Sequence, residues 1–207
     1  MDGYRLVLTG LITTLLLWVF SISVATAEVE VDLQRLNNAW TVNARFCAPV
    51  SPSIAFRVMT DYDHMSQFVP SLKESRILWR EGDEIDVLQR GDIPVLFLDF
   101  PSYVILHIQL FPNHLATFHT VAGNMAVHGK ATVTLRGSSV LVTYDAILKP
   151  DYWVPPLIGA FILKAFVRDQ MAALQAEMLR LAKARARAQK CRLGRQANRP
   201  LPSDGRR

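Results

Sequence analysis

The chain has 207 residues, half of them hydrophobic, and a formal net charge of +5. Residues 28–182 carry 13 Lys or Arg against 16 Asp or Glu, whereas residues 183–207 carry nine basic residues and one acidic residue. The positive charge therefore belongs to a C-terminal tail, and the charge balance of the body excludes a broadly basic nucleic-acid-binding domain. The length after an N-terminal signal fits one domain with a sizeable core.

The first 27 residues predict an export signal. Arg5 provides a positive start, an apolar run extends from Leu6 to Val24, and small residues at positions 25 and 27 end it. Signal peptidase recognises this order, so we expect cleavage between Ala27 and Glu28. The run is also close to the ~20 residues that span a bilayer, so an uncleaved inner-membrane anchor is the alternative, with a buried core helix as a third interpretation. The first two place the remainder in the periplasm or cell envelope.

The predicted domain begins with a strand. After a polar lead-in over residues 28–38, apolar and polar residues alternate from Trp40 to Cys47, which is the period of a half-buried strand. Pro49 and Pro52 end this strand, and Ser51 or Ser53 can then cap a short apolar helix. Cys47 and Cys191 either form a disulfide with each other, as the oxidising environment of an exported protein permits, or remain two free thiols.

A second short helix is predicted around residues 62–68, because Pro70 forces the residue before it out of the α region. Asp61 and Asp63 lie at its start. We interpret them as helix-capping carboxylates rather than as a general acid/base pair.

Six further strand-like runs follow and bring the total to seven. They cover residues 72–80, 85–90, 102–110, 115–121, 126–135 and 140–148. Tight turns join most of them, which favours an antiparallel meander. A long helix begins at Pro156, is apolar almost all round up to Val167 and amphipathic from Arg168, and extends to about Ala186. Beyond Lys190 the composition predicts disorder.

This order of elements resembles the START-like or helix-grip superfamily (SRPBCC), particularly its polyketide-cyclase and coenzyme-Q-binding branch. Residues 48–56 (APVSPSIAF), 60–70 (TDYDHMSQFVP) and 150–159 (PDYWVPPLIG) carry the resemblance. It implies an α+β fold in which a curved antiparallel sheet wraps around the C-terminal helix and encloses a cavity. We therefore predict a START-like ligand-binding domain over residues 39–187 and a basic disordered tail over residues 188–207.

Catalytic motifs are absent from the sequence, which has no HExxH, CxxC, GxSxG, P-loop or GxGxxG. The five histidines show no metal-ligand spacing, although His107, His119 and His128 fall on three predicted strands and can meet in space. We predict no catalytic residue, no metal and no cofactor.

The apolar features favour a binding protein. The helix is apolar on all sides over residues 157–167, and residues 93–101 are strongly apolar although they join two strands. The second segment is either an ordinary strand containing a proline or a hydrophobic loop beside a cavity mouth or lipid. We predict that a lipid, isoprenoid quinone or polyketide-like molecule binds between the sheet and the helix. The predicted contact residues are Phe97, Tyr103, Phe118, Val127, Tyr144, Ile158, Phe161, Ile162 and Ala165.

Two other function classes stay open. A polyketide cyclase or aromatase needs a polar cluster in the cavity, for which His119 or Tyr144 facing His107 is the candidate. A membrane-associated envelope protein would use residues 93–101 as its interface.

The basic tail either contacts anionic lipid, at roughly 1 kcal/mol per charge, or only solubilises the chain end. We expect a monomer that does not bind nucleic acid.

Overall fold

The computed structural model describes residues 28–95, 98–151 and 156–197, with side chains omitted at 94, 95, 98, 99, 156–158 and 188–197. The predicted export signal, Phe97 and residues 198–207 lie outside the described residues. In the described part of the chain, no helix has the length and apolarity needed to cross a membrane.

One eight-stranded antiparallel sheet forms most of the domain, in the order β1-β2-β8-β7-β6-β5-β4-β3. The strands are β1 Glu30–Leu36, β2 Ala39–Ala48, β3 Leu72–Glu81, β4 Glu84–Val95, β5 Leu98–Phe111, β6 Leu115–Gly123, β7 Met125–Arg136 and β8 Ser139–Pro150. The chain crosses from β2 to the far edge of the sheet through helix α1 (Pro52–Met59) and a 3₁₀ helix (Tyr62–Gln67). Strands β3 to β8 then return as a meander, which confirms the prediction from the tight turns.

Helix α2 (Pro156–Ala197) covers one face of this sheet and contacts β1, β2, β4 and α1. We call that face of the sheet its inner face. The sequence predicts an apolar stripe of Val167, Met171, Leu174, Met178 and Leu181 on this helix. The first four are buried against inner-face residues such as Phe46, Ile85, Ile108 and Val142, and Leu181 is partly buried. The Gln175 side-chain amide also donates a hydrogen bond of 2.8 Å to the Cys47 carbonyl oxygen. The predicted helix-grip fold is confirmed.

An additional strand occupies the predicted lead-in. Strand β1 pairs with β2 along its whole length, from Glu30 opposite Arg45 to Leu36 opposite Ala39. Val31 is buried on its inner side, while Glu30 forms an ion pair with Arg45 on the other side. This segment was predicted to be a polar lead-in because of its charged residues, and the alternation of its side chains with a period of two was missed.

In the apolar segment 93–101, residues 93–95 belong to β4 and residues 98–101 to β5, and the two strands pair there, while residues 96 and 97 lie outside the described residues. Ile93 lies opposite Phe100, and Pro94 lies opposite Asp99. Strand β3 begins at Leu72, opposite Gly91, so beyond Gly91 the strand β4 pairs only with β5. A proline is tolerated in such an edge position.

The helix α2 is also longer than predicted. It continues to Ala197 through residues assigned to a disordered tail, and residues 183–187 are exposed on it. The segment is rich in Ala, Arg, Lys and Gln, which are strong helix formers. Disorder was predicted from the charge of this segment, without regard to its helix propensity.

Candidate ligand-binding site

Two adjoining cavities lie between α2 and the inner face of the sheet. The outer lobe, of about 100 Å³, lies between β4, β5 and the first turns of α2, and the inner lobe, of about 120 Å³, lies beside α1 and the 3₁₀ helix. Five residues line both lobes, and we call the two adjoining lobes together the two-lobed cavity. The five residues are Gln89, Leu106, Tyr144, Gln170 and Met171.

A surface groove of about 510 Å³ meets the outer lobe. Ser71 and Asp92 on the sheet side, and Phe166 and Gln170 on the helix side, line both the groove and the outer lobe. We call this feature the entrance groove. Asp92 forms an ion pair with Lys73 on its rim, while the Phe161 side chain opposite is 78% exposed. The groove therefore adjoins the outer lobe between β4 and α2.

The inner lobe is lined by apolar residues and neutral polar groups. None of its described lining residues is charged, and its polar members are Tyr62, Gln89, Tyr144 and Gln170. The Tyr144 ring stacks on Phe118 with their centroids 5.4 Å apart. Burial raises the pKa of Tyr62 and of Tyr144, with a further contribution of Tyr144 to Tyr62. Both hydroxyl groups therefore remain protonated hydrogen-bond donors at neutral pH.

Six of the predicted contact residues line the cavity or its entrance. Phe118 lines the inner lobe, Val127 the outer lobe and Tyr144 both. The three helix residues Phe161, Ile162 and Ala165 line the entrance groove instead of the two lobes.

The other three predicted contacts do not reach the cavity or lie beyond what the structure describes. Tyr103 is on the outer face of β5, because its neighbours Val104 and Leu106 are buried on the inner face. The Arg90 guanidinium lies over the Tyr103 ring, 5.4 Å from its centroid, so Tyr103 is not carried forward as a ligand contact. Phe97 and the side chain of Ile158 lie outside the described residues.

Sequence reasoning missed the polar residues of the cavity. Gln89 follows Ile85 and Val87 at the inner positions of β4, and Gln170 lies beside Val167 and Met171 on the buried side of α2. A polar residue that interrupts an apolar face is the signal that could have identified both of them.

The three strand histidines meet, but on the outer face of the sheet. His107 lies opposite His119, with ring centroids 5.3 Å apart, and His119 lies opposite His128. His107 Nδ1 is hydrogen-bonded to Asp86 Oδ1 at 2.8 Å. Tyr144 faces the cavity from the other side of the sheet, so the predicted pairing of Tyr144 with His107 is not formed, and the pair of His107 and His119 lies outside the cavity. Within the described residues, no group of three or more His, Cys, Asp or Glu side chains could hold a metal ion.

The remaining candidate residues have structural roles. Ser51 Oγ accepts the predicted capping hydrogen bond from the Ile54 N–H at 3.4 Å. The capping prediction is wrong for Asp61, whose carboxylate binds His64 Nδ1 at 2.6 Å instead of a backbone N–H of the helix. Asp63 accepts a hydrogen bond from the Ile77 N–H on β3 and so joins the 3₁₀ helix to the sheet. Cys47 is exposed and has no disulfide partner among the described side chains, which do not include that of Cys191.

Comparisons with known proteins agree with this architecture. The sequence pattern of the family described as polyketide cyclase/dehydrase and lipid transport matches residues 48–175, which is more than half of the chain. No curated protein is a significant match in sequence.

Several solved structures share the fold. A START superfamily protein from Mycobacterium smegmatis has a TM-score of 0.59 at 16% identity, with 68% of this chain and 98% of that chain covered. A STAR-related lipid transfer protein from Xanthomonas axonopodis has a TM-score of 0.61 at 12% identity, with 72% and 93% covered. An aromatase/cyclase from Streptomyces has a TM-score of 0.56 at 14% identity, with 72% and 97% covered.

Proposed function

The chain belongs to the polyketide cyclase/dehydrase and lipid transport family, and from this premise we propose that it binds an apolar small molecule in the two-lobed cavity. One observation carries the proposal. The entrance groove and the outer lobe share Ser71, Asp92, Phe166 and Gln170, so the groove lies directly beside the cavity and can receive the part of a ligand that extends from it.

The size of the cavity indicates how the ligand would be accommodated. Pockets for drug-sized ligands measure about 300–1,000 Å³, whereas the two lobes measure about 100 and 120 Å³. Met59, Met65 and Met171 line the lobes, and the unbranched methionine side chain adapts readily to irregular spaces. We propose that the apolar part of the ligand occupies the lobes after these side chains move, while the rest lies in the entrance groove.

The binding proposal is tested by filling the cavity from one strand. Leu106→Trp places an indole ring, larger than the leucine side chain, at a position that lines both lobes. Ile105→Trp places the same ring on the other face of β5. The two proteins are titrated with the neutral fluorescent dye N-phenyl-naphthylamine, with thermal unfolding as the check on folding. We expect the dye to bind the wild type and Ile105→Trp equally and Leu106→Trp at least tenfold more weakly. Equal binding by all three proteins would place the dye site elsewhere and contradict the proposal.

We also propose that the domain works outside the cytoplasm, released or anchored by its N-terminal segment. The support is the order of a positive start, the apolar run Leu6–Val24 and the small residues before Glu28. N-terminal sequencing of the mature protein distinguishes the forms. Glu28 at the start means release, Met1 means an anchor, and an unprocessed protein recovered from the cytoplasm contradicts export.

The exposed basic part of α2 supports a peripheral contact with anionic lipid. Lys183, Arg185 and Arg187 are all exposed, and basic residues near an anionic surface contribute roughly 1 kcal/mol each. We expect the protein to sediment with phosphatidylserine vesicles at low salt, and the triple variant with glutamine at these three positions to remain in solution. Equal sedimentation with zwitterionic phosphatidylcholine vesicles would contradict an electrostatic contact.

A further inference from the structure

We propose that the ligand is an uncharged molecule with an oxygen function, recognised by Gln89, Tyr144 and Gln170 where the two lobes meet. This inference rests on the proposed binding function and specifies the chemical class of its ligand.

The position of the polar residues is the first argument. Of the five residues that line both lobes, Gln89, Tyr144 and Gln170 are polar and neutral, and they come from β4, β8 and α2 respectively. Three elements therefore bring hydrogen-bonding groups to the junction of two lobes that are otherwise mostly apolar. An apolar ligand with a carbonyl or hydroxyl group can place that oxygen among them.

The available hydrogen-bonding capacity is the second argument. The Gln89 side-chain amide donates to the Met65 sulfur at 3.5 Å, and a thioether is a weak acceptor. Tyr144 keeps its hydroxyl proton, because burial raises its pKa. The junction therefore offers a phenol donor and amide groups, which suit a neutral oxygen.

The charged residues near the cavity are the third argument. Among the described residues that line the outer lobe, Arg90 and Asp92 are the charged ones. The Arg90 guanidinium lies over Tyr103 on the outer face and is 3.4 Å from Glu74, while Asp92 is paired with Lys73. No described cation is thus directed at the junction to neutralise a carboxylate or phosphate. An ion buried without such a partner is strongly disfavoured, so a charged ligand should bind much more weakly than a neutral one.

Three probes of similar length test the inference by displacement of N-phenyl-naphthylamine at neutral pH. Methyl decanoate carries a neutral carbonyl, the decanoate ion carries a charge, and undecane carries no oxygen. For the wild type we expect methyl decanoate to bind most tightly and decanoate at least tenfold more weakly. In Gln89→Leu and in Tyr144→Phe, we expect the affinity for methyl decanoate to fall by roughly five- to tenfold, with undecane changed less than twofold.

Gln67→Leu is the matched control, since Gln67 is exposed and lies away from the cavity lining. Decanoate binding as tightly as methyl decanoate would overturn the inference in the wild type alone, whatever the variants do. So would unchanged binding of methyl decanoate by folded Gln89→Leu and Tyr144→Phe. If neither the dye nor any probe binds the wild type, the proposed binding function itself fails. If undecane binds and the ester shows no advantage, only the inference about the ligand class fails.

Discussion

Met171 and Met178 lie about two turns apart on α2, and both are buried, but only Met171 lines the cavity. Met178 is 0% exposed and packed in the core, whereas part of the Met171 surface faces the two lobes. Truncation of a buried methionine to alanine costs about 2–5 kcal/mol, depending on how many contacts are lost. Because Met171 already borders a void, we expect Met171→Ala to cost about 2 kcal/mol and Met178→Ala about 4 kcal/mol.

The two variants should also differ in ligand binding. Met171→Ala joins the removed volume to the cavity and should increase the affinity for a bulkier neutral ester, while Met178→Ala should leave the order of affinities unchanged. Urea unfolding followed by circular dichroism gives the free energy of unfolding of each variant, and dye displacement gives the affinities. A larger loss of stability in Met171→Ala, or an equal change in ligand preference in both variants, would refute the assignment of Met171 to the cavity wall.

Three further predictions concern stability. Ser75 is buried and its hydroxyl has no hydrogen-bond partner among the described residues, so Ser75→Ala should raise the free energy of unfolding by about 1 kcal/mol in urea, and a loss of that size would reveal an unrecognised partner. Gly123 has a φ of +141°, and a Cβ atom there would lie 2.2 Å from the Tyr103 carbonyl oxygen, so Gly123→Ala should lower the melting temperature by several degrees; an unchanged value would contradict the close approach. Burial raises the pKa of Tyr62 and Tyr144 above the ordinary 10.0, so their contribution to stability is complete below that pH and is lost as the pH rises toward the folded values. Absorbance titration of phenolate should therefore show two tyrosines that ionise only on alkaline unfolding, and titration of all five near pH 10.0 would disprove their burial.

Much of the fold could be predicted from patterns that each segment carries locally. Tight turns between short apolar runs indicated the meander, and the stripe from Val167 to Met178 indicated the helix that the sheet holds. Strand β1 was missed because Glu30, Asp32 and Gln34 stand at its outer positions, while Val31 is its one buried residue. The end of α2 was missed because positive charge and helix propensity point in opposite directions in the segment after Lys183.

The site was only partly predictable, because strand parity decides which residues face the cavity. From Tyr103 to Leu106 the sequence is continuously apolar, so it carries no alternation that identifies the inner face, and Tyr103 was assigned to the wrong one. Gln89 and Gln170 were missed for a different reason. The contact residues were predicted mainly from their apolar character, whereas Gln89 and Gln170 are polar residues on the cavity-facing sides of β4 and α2.

The central claim, that the two-lobed cavity holds an apolar ligand, is tested most directly on the mature protein purified from its native membrane or periplasm. Native mass spectrometry, followed by solvent extraction and mass analysis of the released molecule, measures both occupancy and identity. We expect one neutral apolar molecule per chain, lost from Leu106→Trp and retained by Ile105→Trp. Protein that is repeatedly empty, with Met171 and its neighbours filling the lobes, would contradict it.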